Sequence, residues 1–257
     1  MQTHRLVQVA AVLLGAALLN PAVGEASSTP PGALPASTLL PVTLYHGLNA
    51  KKLHPGQSVR LRLMQSIPGT SIHRGSKVLG TVVRVSTLPN GAATLVLRFG
   101  TIESHGQKIP IHANLRALAS PLDVEEAQIP EEMSSRGMTP ANWDTQQIGG
   151  DQVYRGGGPV TENGHKVGKL EAYGAVDMPQ PALGMKCRGA VDKNHPQALW
   201  LFSADACGVY GYPHLVIQHY GRNNGRIVLA SERGKLNVGG GSAMLLRVDS
   251  YQMADSR

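Results

Sequence analysis

Ser58-Val59-Arg60-Leu61-Arg62-Leu63 alternates apolar residues with arginines. That two-residue period marks a strand with one buried face and one wetted face. Downstream, Lys77–Val85 (KVLGTVVRV) and Ala93–Phe99 (ATLVLRF) are β-branched and aliphatic runs, with Pro89-Asn90-Gly91 between them. Asn-Gly between two such runs is a strong hairpin signal. Lys108–Ala113 (KIPIHA) alternates again. The C-terminal part repeats the pattern, with strands predicted at Ala198–Phe202, His214–Tyr220, Arg226–Ala230 and Ala243–Val248. Asn223-Asn224-Gly225 and Gly239-Gly240-Gly241 supply turns there. The expected class is mainly β, an antiparallel small barrel or sandwich with a long loop-rich middle segment. In that middle, one short helix is predicted after Ser120-Pro121. Ser120 is its N-cap, Pro121 its first position, and Asp123 falls in the first turn. The rest of the middle reads as loops laid over the sheet.

Composition agrees. The chain of 257 residues holds 30 Gly and 17 Pro but only 16% charged residues, which favours turns and strands over long helices. Two Phe, two Trp and seven Tyr are too few for the aromatic girdles of an outer-membrane barrel, and arginines flank most strands.

The N-terminus reads as a secretory signal peptide over residues 1–26. Arg5 supplies the positive end, Leu6–Leu19 the apolar run, and Gly24-Glu25-Ala26 the small-residue ending. The run is shorter than the roughly 20 residues of a membrane-spanning helix, and no transmembrane helix is expected after cleavage. Residues 27–37 (SSTPPGALPAS from Ser27) form a flexible linker. Export to the periplasm or the medium makes pairing the default for Cys187 and Cys207, which close a loop of 21 residues. No metal-ligand spacing involves either cysteine, so no metal and no cofactor are expected.

The mature chain divides by charge. Residues 38–118, a basic β domain, hold ten Lys/Arg and one acid, Glu103. Residues 119–183, the acidic loop-rich segment, hold ten Asp/Glu and four Lys/Arg. Residues 184–250 form a C-terminal β segment that completes the same domain or stands beside it. The overall +7 therefore conceals a strong internal asymmetry. The basic segment is the functional lead, with Lys51, Lys52, Arg60, Arg62, Arg74, Lys77 and Arg84 as candidate binding residues for a polyanion. Its histidines at 46, 54, 73, 105 and 112 would add charge in mildly acidic medium. Tyr45 and Phe99 are its only aromatics, too few to stack single-stranded bases, so nucleic acid is not expected. The competing reading sets the acidic middle against the basic segment, so that the charges cancel internally.

No GxSxG, HExxH, P-loop or dinucleotide fingerprint occurs in a fitting context. His214 and His219, five apart on one strand, face opposite sides and cannot share a metal. Ser203, His195 and Asp192 contain the residue types of a triad, and Glu125, Glu126, Glu131 and Glu132 could pair as carboxylates. Loop positions and a solvated face explain both sets more simply. Turns likewise explain Gly156-Gly157-Gly158.

Pro55-Gly56-Gln57-Ser58-Val59, followed by Ile72-His73-Arg74-Gly75-Ser76-Lys77-Val78-Leu79-Gly80-Thr81-Val82, resembles a strand and hairpin of bacterial envelope proteins. A similar hairpin occurs in the β-barrel domain of VirB10/TrbI-type secretion-channel proteins. Cys187-Arg188-Gly189, Pro196–Gly211 and Gly240–Val248 extend the likeness to a group of secreted, β-rich envelope proteins of this length. That resemblance implies export and a β fold, and lends no activity or site residues. The expected function is an exported envelope binding or interaction module, whose partner is an anionic envelope polymer or another envelope protein. The alternatives are a hydrolase of envelope polymers and a strand-pairing component of an envelope assembly.

Overall fold

The computed structural model describes residues 34–128, 144–149, 152–154, 159–162, 165–171, 174–177, 197–199, 201–203, 206–218, 225–231 and 233–249. For 144–146, 152–154, 159–162, 165–171, 174–177 and 197–199 the backbone alone is described. The N-terminal half contributes β1 (Leu39–Leu44), β2 (Leu48–Asn49), β3 (Ser58–Leu63), β4 (Lys77–Thr87), β5 (Ala93–Ser104), β6 (Gln107–Pro110), β7 (Ala113–Ala119) and α1 (Pro121–Glu126). The middle adds β8 (Asp144–Gln146), β9 (Gln152–Tyr154), β10 (Pro159–Glu162), β11 (His165–Glu171) and β12 (Gly174–Asp177). The C-terminal part adds β13 (Gln197–Leu199), β14 (Gly208–Tyr210), β15 (Leu215–Gln218), β16 (Arg226–Ser231), β17 (Asn237–Val238) and β18 (Ala243–Val248).

One sheet runs in the order β14-β7-β18-β1-β3-β4-β5-β16-β15, with β6 paired to the far end of β5. All its pairs are antiparallel except β14 with β7. The two strands at its ends, β14 and β15, are consecutive in the chain and joined only by Gly211–His214. Four residues cannot reach between the far ends of a flat nine-strand sheet, because neighbouring strands lie roughly 4.8 Å apart. The sheet therefore curls until its ends nearly meet, giving a nearly closed, mainly antiparallel barrel. Both segments build it: β1, β3, β4 and β5 of residues 38–118 run side by side, β16 and β15 of residues 184–250 follow them, and β7 lies between the C-terminal strands β14 and β18.

The barrel interior is a single apolar cluster. Inward residues of successive strands fill it, among them Val42, Leu61, Val78, Leu97, Phe99, Leu229 and Leu246. The hairpin at Pro89-Asn90-Gly91 is present as expected, closing β4 onto β5. Its Gly91 lies at φ +87°, and the Leu88 amide donates to the Ala92 carbonyl at 2.7 Å.

A second apolar cluster lies outside the barrel, over β1, β18 and β7. Leu39, Ala117, Ala119, Ala243 and Leu245 face it from the sheet. Val124 and Ala127 from the α1 turn, with Ile148, Leu201, Phe202 and Ala206, close it. The α1 helix forms as expected. Ser120 caps it, its hydroxyl accepting from the Asp123 amide at 3.2 Å, while the Asp123 carboxylate accepts from the Ser120 amide. Gly211 packs on this cap at φ +69°, where a side chain would collide with Asp123 and Ser120.

Four differences from the sequence reading have physical causes. Leu39–Leu44 is a strand despite Pro41, whose carbonyl accepts from the Met64 amide just beyond the β1–β3 register. The missing N–H of Pro41 thus falls where ladder pairing has ended, the tolerated place for proline. Lys108–Ala113 is two strands, β6 ending at Pro110 and β7 starting at Ala113, because the chain leaves β5 to pair with β18. Of Ala198–Phe202, Ala198 and Leu199 lie in β13, in a four-strand sheet with β10–β12, whereas Leu201 and Phe202 plug the outer cluster. The middle segment, rich in turn residues, also carries the short strands β8 to β12.

Candidate functional site

The barrel wall formed by β3, β4 and β5 follows the alternation seen in sequence. On β3, Val59, Leu61 and Leu63 are buried, while Ser58, Arg60 and Arg62 are exposed. Antiparallel register carries this polar side across the neighbouring strands. Arg62 stands opposite Lys77, Lys77 opposite Glu103, and Glu103 opposite Lys108. In a second row Ser58 faces Thr81, Thr81 faces Arg98, and Arg98 faces Arg226 of β16.

Of the ten basic residues in 38–118, nine are exposed. The tenth, Arg116, is buried on β7, where its Nε donates to the Ala206 carbonyl at 3.1 Å. Arg116 thus ties the covering segment to the barrel and belongs to the fold. Among the described residues only Glu103 shares the basic wall as an acid. Lys108 Nζ lies 3.9 Å from its Oε1 in a pair whose lysine is 74% exposed. Such a pair is worth at most about 1 kcal/mol. Arg62 lies over the ring of Tyr45, its guanidinium carbon 5.4 Å from the centroid, and its Nε donates to the Tyr45 hydroxyl at 3.4 Å.

The seven candidates do not form one cluster. Arg60, Arg62 and Lys77 share the outer face of adjacent strands. Arg74 and Lys77 border a shallow depression of about 450 Å³ that also takes in His73, Glu103 and His105, with the two imidazoles edge to face at 5.0 Å. Arg84 lies further along β4, beyond an irregularity in register between Val82 and Arg84. Lys51 and Lys52 sit in the exposed turn after β2, and no strand register joins them to the wall. A smaller cavity of about 210 Å³, bordered by His46, Leu53 and Arg60, opens between that loop and β3.

No protein-family model, no curated protein and no solved structure matches this chain.

Two residues that belong with the wall, Arg98 and Arg226, escaped the sequence reading as site residues. Alternation in ATLVLRF puts Arg98 outward, yet its neighbour Arg226 comes from a distant segment, and only the β5–β16 register brings them together. Ser203 is fully buried, so its hydroxyl is closed to solvent. Asp192 and His195, which would complete a triad with it, lie outside the described residues. Glu125 and Glu126 are adjacent and exposed on α1. Glu131, Glu132, His219, Cys187 and Gly156–Gly158 also lie outside the described residues. Among the described residues, no three His, Cys, Asp or Glu side chains converge as a metal site. No described helix is long and apolar enough to cross a membrane.

Proposed function

We propose that this protein is an exported cell-envelope module that binds a polyanion on the outer wall formed by β3, β4, β5 and β16. One observation carries the reading. The basic side chains of this wall are solvent-exposed on one sheet, with a single carboxylate among them in the described residues. Such a surface attracts anionic polymers through summed charge. The ligand class is an anionic envelope polymer, and the residues proposed to meet it include Arg60, Arg62, Arg74, Lys77 and Arg84.

Export rests on the signal-like residues 1–26 and on the envelope resemblance of the β3–β4 region. It places the protein in the periplasm or the medium, where Cys187 and Cys207 form a disulfide. That no cysteine among the described residues is free supports the pairing. Closing a loop of this length contributes about 3 kcal/mol in the chain-entropy estimate. In the native protein no thiol should react with Ellman's reagent until a reductant is added; a reactive thiol before reduction refutes the disulfide.

Binding is tested by titrating the full chain with heparin fragments over a salt series. Affinity should fall steeply as screening shortens the reach of the wall's charges. Absent or salt-insensitive binding overturns the reading. The hydrolase alternative has no converging side chains among the described residues to favour it. The strand-pairing alternative is disfavoured by a sheet whose end strands nearly meet.

A further inference from the structure

The wall contains two like-charge pairs directly opposite one another, and they differ. In the first, Arg62 and Lys77 are compensated: Arg62 rests on Tyr45, and Lys77 has Glu103 across the next strand. The second, Arg98 with Arg226, has no carboxylate in its row among the described residues. Its neighbours there are the hydroxyl side chains Thr81 and Ser58, and all four residues are exposed. Directly opposed residues have Cβ atoms roughly 5 Å apart, a spacing at which like charges destabilise the pair. Two long arginine side chains rooted at that separation can both reach one tetrahedral oxyanion, which accepts paired N–H donors from each fork. The hydroxyl of Thr81 adds a neutral donor beside them.

We infer that Arg98 and Arg226, with Thr81, form a binding site for a phosphomonoester-type dianion. The inference rests on the polyanion reading above and assigns its ligand a chemical group. A phosphomonoester carries close to two charges at neutral pH and three acceptor oxygens, so it can satisfy both forks at once. A carboxylate or phosphodiester offers less charge to the same pair.

The test uses the full chain and inorganic phosphate, with chloride at matched ionic strength as control. Phosphate should raise the melting temperature and bind measurably by calorimetry. Arg98→Gln and Arg226→Gln should each weaken that binding about tenfold, the lower range for a lost charged hydrogen bond. In low-salt chloride neither variant should melt below the parent, because each removes a like-charge contact; that readout separates loss of site from loss of fold. Arg98→Lys, which keeps the charge and loses the fork, should also lose phosphate binding.

Vesicles carrying phosphatidic acid, set against phosphatidylglycerol, identify the source. Preference for the monoester lipid assigns the site to a headgroup, and phosphate binding without that preference assigns it to a free anion. Phosphate effects equal to chloride, or unchanged in both glutamine variants, overturn the inference. If heparin binding stays salt-steep while phosphate has no effect, the site fails and the polyanion reading stands. If phosphate binds and heparin does not, the site stands and the polyanion reading fails.

Discussion

The two sides of the barrel wall are built from similar strands and meet opposite surroundings. Over β1, β18 and β7 the outer face is apolar and covered by α1, Ile148, Leu201 and Phe202, and β7 is buried along its whole length. Over β3, β4 and β5 the outer face is basic and bare, and β3 alternates strictly between buried and exposed. Among the described residues, the covering segment packs on one side only. A strand buried on both faces is held by packing, whereas a strand buried on one face keeps its other side for solvent or a ligand. Of the acidic residues on α1, Asp123 is taken up by the cap, and Glu125 and Glu126 are exposed on the covered side. The basic wall keeps its own charges exposed.

That contrast can be broken from either side, and the largest effects belong to the covered one. Phe202→Ala should cost about 3–5 kcal/mol and Leu245→Ala about 2–5 kcal/mol in chemical denaturation, since both are fully buried in the outer cluster. Losses below 1 kcal/mol would mean the covering layer is not packed on the barrel. Gly211→Ala should destabilise by roughly 1–3 kcal/mol, because it combines a left-handed backbone with collision against the α1 cap. Ser120→Ala, which removes the capping hydroxyl, should cost about 1 kcal/mol. Smallest of all, Arg60→Ala on the bare wall should change stability by no more than about 0.5 kcal/mol. A large loss at Arg60 would show that something packs against this wall.

The same contrast explains what could be read in advance. Ser58–Leu63 was legible because a half-buried strand writes its two faces into alternate residues, and Asn90-Gly91 because its turn demands a left-handed glycine. The α1 start was legible because Ser120, Pro121 and Asp123 each satisfy a separate need of a helix N-terminus. Ala113–Ala119 was not, since burial on both faces erases alternation, and β1, buried at five of its six positions, lacks it for the same reason. Site residues followed the same rule. Arg60 and Arg62 declared themselves through local period, but the opposition of Arg98 and Arg226 depends on long-range register that no local pattern encodes. Arg116 counted toward the segment's charge and is a buried tie instead, a distinction only the fold draws.

The measurement that bears most directly on the bare basic wall is the salt dependence of heparin binding in two proteins. One is the parent chain, the other Arg60→Gln/Arg62→Gln/Lys77→Gln/Arg84→Gln. If the wall is the binding surface, log affinity of the parent falls steeply with log salt concentration, and the quadruple variant binds more weakly with a distinctly flatter dependence at unchanged melting temperature. Equal affinity and equal slope in the two proteins would contradict the assignment of binding to this wall.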